Sequence, residues 1–575
     1  MNETTTPKPI DKRWTLKPTD PNVVNQLQTE LGIAKSLCQI LVNRGIDTFD
    51  KAKAFFRPHM LHTHDPFLMK DMDKAVERIV KAIENRESIM VFGDYDVDGT
   101  SAVAVMYSFL RSIHKGELSF YVPHRYKEGY GVSIDGIDLA HAQGTTLIIA
   151  LDCGIKSVEK ISYAKELGID FVVCDHHLPD EVLPPAVAIL NPKQSDCPYP
   201  FKELCGCAIG YKLVTALCQE LGLPEEKADE YLDFVATSIA ADIVSMTDEN
   251  RVLAHFGMEK VNNNPNKSIA LLKQVAGVQK PMHISDLVFA IGPIVNAAGR
   301  MDDAKKAVQL FVEQDEAHML RLVQELKEHN LDRKSVDKST TAEALQLLAE
   351  ESEKDKRSTV VYQQHWHKGV VGIVASRLID YYYRPTIVLA GSNGLISGSA
   401  RSIKGINIHD AIESCSDLLE NFGGHFFAAG LTMKPENLEP FKKRFEAYMH
   451  EHFDASVFVP EILIDAEIDF SNIRQNYFDI LKQFEPFGPD NLRPVFISKN
   501  IHDFQNQSRV VKEAHLRVVL CQLESFVIDG IGFNMADSLA LIKAGPVDIV
   551  YTIDENHFNN KTTLQLKIID VRQSE

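Results

Sequence analysis

The sequence predicts an α/β protein: a parallel-sheet unit, a smaller α/β unit joined to it by a long helix, and a small C-terminal β-barrel. Three patterns carry this expectation. Between 89 and 191, short apolar runs alternate with amphipathic stretches, the rhythm of buried parallel strands and their crossover helices. From 307 to 353 the chain is charged, free of Gly and Pro, and apolar at helical spacing, which predicts a helical connector. After 458 the apolar runs become short and alternating, as in a small barrel of the OB type.

Taken in order, residues 1–70 form an expected N-terminal helical extension and 71–306 the first α/β unit. Within that unit Ile89-Met90-Val91-Phe92, 118–122, 146–151 and 171–174 are expected strands. The stretches 102–113, 157–167, 211–221 and 225–245 are expected helices. The connector runs through 307–357 and the second α/β unit through 358–457, with strands at 359–362 and 386–389 and a helix at 372–382. In the last region, 458–575, strand-like runs fall at 462–468, 516–520, 547–553 and 562–569.

Composition narrows the function classes. A chain of 575 residues, 45% hydrophobic, is several times the length of one domain. Its polar start and the lack of any 18 to 20 residue apolar run predict neither secretion nor membrane spanning, and so a cytoplasmic protein. Nine cysteines with no CxxC pair suit reduced thiols better than disulfides; Cys205-Gly206-Cys207 is the nearest approach to a zinc cluster. A net charge of −19 still permits a local basic groove that grips phosphates.

The chemistry concentrates at strand ends. Gly93-Asp94-Tyr95-Asp96-Val97-Asp98-Gly99 follows one expected strand and precedes a helix, in the crevice where open α/β sheets bind ligands. The Asp spacing resembles a calcium loop, but its twelfth position is Val105 instead of a bidentate Glu, which excludes that reading. Asp152-Cys153-Gly154 and Asp175-His176-His177 close two further strands, and Asp242 lies in the otherwise apolar 238–244. Each alone has an ordinary explanation as a turn, a helix N-cap or a hydrogen-bonded core Asp. Their recurrence on successive strand ends points instead to a hard, oxygen-rich site for two Mn²⁺ or Mg²⁺ ions, of the kind that activates water against a phosphodiester.

These motifs, in this order and spacing, resemble those of the DHH phosphoesterases. Gly398-Ser399-Ala400-Arg401-Ser402 and Gly423-Gly424-His425-Phe426-Phe427-Ala428-Ala429-Gly430 resemble the substrate motifs of the DHH-associated domain. Pro123 to Gly131, with Arg125 and Tyr130, Ile291-Gly292-Pro293, Asn296-Ala297-Ala298-Gly299-Arg300 and Glu485-Pro486-Phe487-Gly488-Pro489-Asp490-Asn491 extend the likeness to the RecJ exonuclease family over nearly the whole chain. The resemblance implies metal ligands at Asp96, Asp98, Asp152, His176 and Asp242, with Asp94 close by, and catalytic roles for Asp175 and His177. It implies substrate contacts at Arg125, Tyr130, Asn296, Arg300, Ser399, Arg401, Gly423, Gly424 and His425. DHH pyrophosphatases carry a His four residues before the first Asp of the metal-binding pair, where this chain has Phe92, so which of Asp94, Asp96 and Asp98 meets which ion stays open.

The implied activity is a 5′ to 3′ exonuclease of single-stranded DNA that releases 5′-mononucleotides in recombination and repair, with single-strand-binding protein and a RecQ-type helicase as partners. Two other readings compete. A phosphodiesterase of short oligonucleotides or cyclic dinucleotides would need no third module. A non-catalytic replication scaffold would have lost acidic motifs that are intact here.

Overall fold

The structure, a computed structural model, describes residues 11–350, 355–522, 526–558 and 561–574. The expected extension's residues 1–10 and the connector's 351–354 lie outside them. The chain forms two compact units. One comprises Thr15–Val295, Ala304–Val323 and Leu463–Glu575; the other comprises Asn296–Asp303 and Gln324–Ile462 with the chain up to Trp14.

The larger unit contains a five-stranded sheet in the order Leu118–Tyr121, Ile89–Gly93, Leu147–Leu151, Asp170–Cys174, Ala188–Leu190, parallel throughout. Ile89–Gly93 and Leu147–Leu151 are buried along their whole length, which is why they are uniformly apolar instead of alternating. The chain leaves Ile89–Gly93 for one neighbour and returns to pair on its other side. This reversal opens a crevice at the carboxyl ends of the two central strands.

Three helix boundaries depart from expectation. The first helix begins at Val97, not at 102, because Asp96 caps it by accepting Gly99 N–H at 3.1 Å, the usual work of an N-cap carboxylate. The stretch expected as one helix over 225–245 is two, Glu226–Asp229 and Leu232–Ala241. Asp242 is therefore a C-cap and not a residue of a helix interior, since Ile243 turns left-handed at φ 57°. The connector is also two helices, Lys305–Val312 and Glu316–Glu350. Glu313 accepts the N–H groups of Gln314 and Asp315, and Asp315 caps the second helix through His318 N–H at 2.7 Å.

The C-terminal strands form a barrel. Phe496–Asp503, Val547–Phe558, Lys561–Gln573, Phe526–Gly532 and His515–Gln522 pair in that order, and His515–Gln522 returns to Phe496–Asp503, a five-stranded closure of the OB type. Its apolar core is shared with the N-terminal helices: Val24, Leu27, Leu37, Ile40 and Leu41 are buried in one cluster with Phe484, Phe496, Tyr551 and Leu566. Arg251, on helix Asp248–Asn263, donates to the carbonyls of Gln483 (3.1 Å) and Glu485 (2.9 Å) in the segment that leads into the barrel, and Met246 N–H donates to Pro489 O of the same segment at 2.8 Å.

The smaller unit carries a sheet ordered Asn421–Gly424, Ala428–Met433, Leu395–Arg401, Thr386–Ser392, Thr359–Gln363, parallel only in its last pair. Along Leu395–Arg401 the residues alternate. Ile396 and Ala400 enter the apolar cluster, and Ser397, Ser399 and Arg401 take the other face, as period-two strand geometry requires. Among the described residues no helix is long and apolar enough to cross a membrane.

Candidate metal centre

The crevice of the parallel sheet gathers the strand-end acids of the larger unit. Asp94 follows Ile89–Gly93, Asp96 caps the next helix, and Asp98 occupies that helix's first turn. The chain can pass this closely only without side chains at two points: a Cβ at Gly93 would lie 2.3 Å from Val103, and one at Gly99 would lie 2.5 Å from Asp94 O. Asp152 leaves Leu147–Leu151 in a left-handed conformation, φ 58°, with its N–H donating to Cys174 O at 2.8 Å.

Ligand-type atoms converge in overlapping groups. Asp94, Asp96 and Asp152 make one, and Asp98, His176 and Asp242 another; Asp152 also groups with His176 and His177. His176 Nε2 lies 3.1 Å from Asp152, 3.6 Å from Asp242 and 3.8 Å from Asp98.

Asp98 is held hardest. It accepts Gly206 N–H and Cys207 N–H at 2.7 Å each and the Ser238 hydroxyl, so the N-terminus of helix Gly206–Glu220 clamps it. Neither the two N–H groups nor Ser238 figured in the expected site. The only trace in sequence is the glycine of Cys205-Gly206-Cys207, where a Cβ would lie 2.6 Å from that of Asp152. All nine cysteines are buried, and none is in a disulfide among the described residues.

Electrostatics explains what such a cluster requires. Burial, reinforced by Asp96, holds the Asp94 carboxyl well above the ordinary range; burial and Asp98 raise Asp96. Burial, then Asp98 and Asp96, pushes Asp152 and Asp242 well up. Burial lowers His176 to about 4 against the pull of Asp98. Asp152 Oδ1, Asp242 Oδ2 and His176 Nδ1 are buried and make no well-aligned hydrogen bond among the described residues, the two carboxylate oxygens lying 3.1 and 3.6 Å from His176 Nε2. Crowded carboxylates with acceptors left over are what divalent cations neutralise, so this donor set fits a metal pair.

Asp175 and His177 stand apart from this pattern. His177 Nδ1 lies 2.7 Å from Asp175 Oδ1, and Ile155 N–H donates to Oδ2 at 2.9 Å. Burial would raise Asp175, but the His177 contact outweighs it and holds the carboxyl at about 2. The same contact overcomes burial to raise His177. Tyr130 hydroxyl donates to Asp152 O and lies 3.1 Å from the His177 ring nitrogens. Its ring meets Tyr95 edge to face, and Arg125 covers Tyr95 at 4.6 Å.

The other expected residues belong to the smaller unit. Arg401 donates to Ser399 Oγ at 2.7 Å, and both border Gly372, where a Cβ would lie 2.9 Å from the Arg401 guanidinium. Arg300 donates to Gly369 O at 3.1 Å, so Arg300 and Arg401 both lie along the first turns of helix Lys368–Tyr382. Asn296 is half-buried on Gly292–Met301. Gly423 and Gly424 end a strand and His425 begins the following turn, all three exposed.

A parallel sheet ordered about a switch point, with DHH at the end of its fourth strand, defines a DHH phosphoesterase. Models of the DHH family N-terminal domain, the DHHA1 domain and the RecJ OB domain match residues 88–239, 355–451 and 464–570. The single-stranded-DNA-specific exonuclease RecJ of Bacillus subtilis is 34% identical over 98% of this chain and 71% of its own length. That of Escherichia coli is 34% identical over 87% and 90%. RecJ of Thermus thermophilus, crystallised with Mn²⁺, superposes with a TM-score of 0.84 at 25% identity, over 98% of this chain and 80% of that one. The chain belongs to the RecJ family of single-stranded-DNA-specific exonucleases.

Proposed function

We propose that this protein hydrolyses single-stranded DNA from its 5′ end, releasing 5′-mononucleotides in recombination and repair. The observation that carries the reading is the convergence of five carboxylates and His176 at the switch point, where the nitrogen base His176 faces the buried oxygens of Asp98, Asp152 and Asp242. Asp94, Asp96 and Asp152 would hold one divalent ion; Asp98, His176 and Asp242 would hold the second, with Asp152 adjoining. Hard oxygen donors with one imidazole suit Mn²⁺ or Mg²⁺. Such a pair acidifies a water for attack on phosphorus and offsets charge on the departing oxygen.

The chain's own groups do the rest. Asp175 fixes the His177 ring and shifts its titration upward, which favours an N–H aimed at a phosphate oxygen, and Tyr130 holds the His177 and Asp152 ends together. Arg125 stands on Tyr95 as a phosphate contact. In the smaller unit Arg401, Arg300, Ser399, Asn296 and the Gly423-Gly424-His425 turn bind the terminal phosphate and its neighbours, using guanidinium forks, the His425 ring and a glycine backbone that no side chain covers. This assigns catalysis to 71–306, the connector to 307–357, substrate binding to 358–457 and strand binding to 458–575 with 1–70. The barrel favours a long strand over a dinucleotide.

Single-strand-binding protein and a RecQ-type helicase are the proposed partners, and the cytoplasm the proposed compartment. The test is hydrolysis of 5′- and 3′-labelled single strands with Mn²⁺ or Mg²⁺. Mononucleotide should leave from the 5′ label first, excess chelator should stop the reaction, and Asp152→Ala should slow it at least ~10²-fold while the protein stays folded. Full turnover in chelator would remove the metal reading.

A further inference from the structure

The smaller unit carries an exposed aromatic pair for which the reaction so far has no use. Phe426 and Phe427 follow His425 in the turn between Asn421–Gly424 and Ala428–Met433. Among the described residues of this unit they are the only exposed Phe, Tyr or Trp side chains, at 41% and 56%. Their rings meet edge to face, centroids 4.7 Å apart. A turn that only reverses the chain gains nothing from two phenyl rings in water.

The mount beneath the rings is fixed. Ile408 N–H donates to Phe426 O at 2.9 Å, Ser402 N–H to Phe427 O at 3.0 Å, and His425 N–H to Ala428 O at 2.8 Å. Register decides what lies alongside: Ala428 pairs with Arg401, Gly430 with Ser399, and Gly423 with Gly430. One sheet face thus runs Gly423, Gly430, Ser399 with no side chain larger than a hydroxymethyl, bordered by Arg401. A Cβ added at Gly423 would meet nothing within 4 Å, so ligand atoms can approach the backbone there.

We propose that Phe426 and Phe427 form a nucleobase-stacking subsite for the nucleotide whose phosphate is held by Arg401 and the Gly423-Gly424-His425 turn; this rests on the phosphate-binding reading above. One nucleotide presents two chemistries, an anion that needs cationic and N–H donors and a planar heterocycle that needs an exposed π surface. Here both are supplied within one rigid turn and its paired strand. Stacking on phenyl is tolerant of base identity, which suits an enzyme that must accept any sequence. A platform held by its own backbone binds with little ordering cost.

The test is equilibrium affinity, with turnover blocked by chelator, for 5′-phosphorylated single strands carrying an abasic nucleotide at the first, second or third position. At one position, loss of the base should weaken wild-type binding about 5- to 150-fold. Phe427→Ala should weaken binding of the intact strand by the same factor and the abasic strand no further. Phe427→Leu, which keeps apolar bulk without a π face, should behave like Phe427→Ala, and Phe427→Trp should restore affinity. If base removal costs wild type and the Phe426→Ala/Phe427→Ala double variant equally at every position, the subsite is refuted. The phosphate reading has its own arm: removing the 5′ phosphate should weaken wild type but not Arg401→Ala. Equal weakening of both overturns that reading whatever the base series shows.

Discussion

Gly206 is where one methyl group tests the geometry of the whole metal centre. A Cβ at that position would lie 2.6 Å from Asp152 Cβ and 2.8 Å from both its Cα and its Oδ1, while Gly206 N–H simultaneously holds Asp98. Against the ~3.5 Å of a normal carbon contact, Asp152 must retreat by roughly 1 Å, and no flexible side-chain tip is available to absorb the shift. Displacing a reacting geometry by about 1 Å costs on the order of 10²-fold in rate, and overpacking adds about 1 to 3 kcal/mol of destabilisation. Gly206→Ala should therefore lose about 10²-fold in Mn²⁺-dependent hydrolysis and bind Mn²⁺ more weakly by calorimetry, while melting as a folded protein. Gly210→Ala, one turn further along the same buried helix, is the control. Its methyl would meet only Leu151 Cδ2, at 3.1 Å, a side-chain end that can move, so activity should stay near wild type. Wild-type turnover and Mn²⁺ affinity in Gly206→Ala would show that Asp152 and the helix N-terminus do not form one rigid ligand frame.

Two further substitutions probe the other modules. A hydrogen bond to a charged group is worth ~1.5 to 3 kcal/mol, so Arg401→Ala should lower kcat/KM roughly 10- to 150-fold with unchanged Mn²⁺ affinity, and Lys should recover only part because it lacks the planar fork. Collapse of metal affinity in single-turnover and calorimetric measurements would move Arg401 to a different role. Phe484, fully buried, packs edge to face on Phe55 and Phe56 at 5.4 Å each, which joins the N-terminal helices to the barrel. Phe484→Ala should cost about 3 to 5 kcal/mol, read as a lower urea midpoint, and an unchanged midpoint would deny the shared core.

Much of this protein was legible as pattern. The buried strands Ile89–Gly93 and Leu147–Leu151 announce themselves because a parallel strand covered on both faces has no reason to include a polar residue. Acids standing at the ends of such runs must lie at the sheet's carboxyl edge, which chain direction alone dictates. Local chemistry set the helix starts less visibly: the capping carboxylate of Asp96 pulled its helix forward to Val97, and periodicity alone carries no signal for that.

What only the tertiary structure decided is contact between segments distant in sequence. That Asp98 is clamped by Gly206, Cys207 and Ser238, over a hundred residues away, depends on how one helix end approaches another, and apolar periodicity is blind to it. Asp242 looked like a residue of a helix interior until the left-handed turn at Ile243 made it the helix end. The N-terminal helices looked like a separate extension because amphipathic sequence shows that a face is buried but not against what. The barrel supplied the partner. Residue types and spacing fixed which groups could do chemistry, because reactivity is local. Their union into one site awaited the fold, because proximity is not.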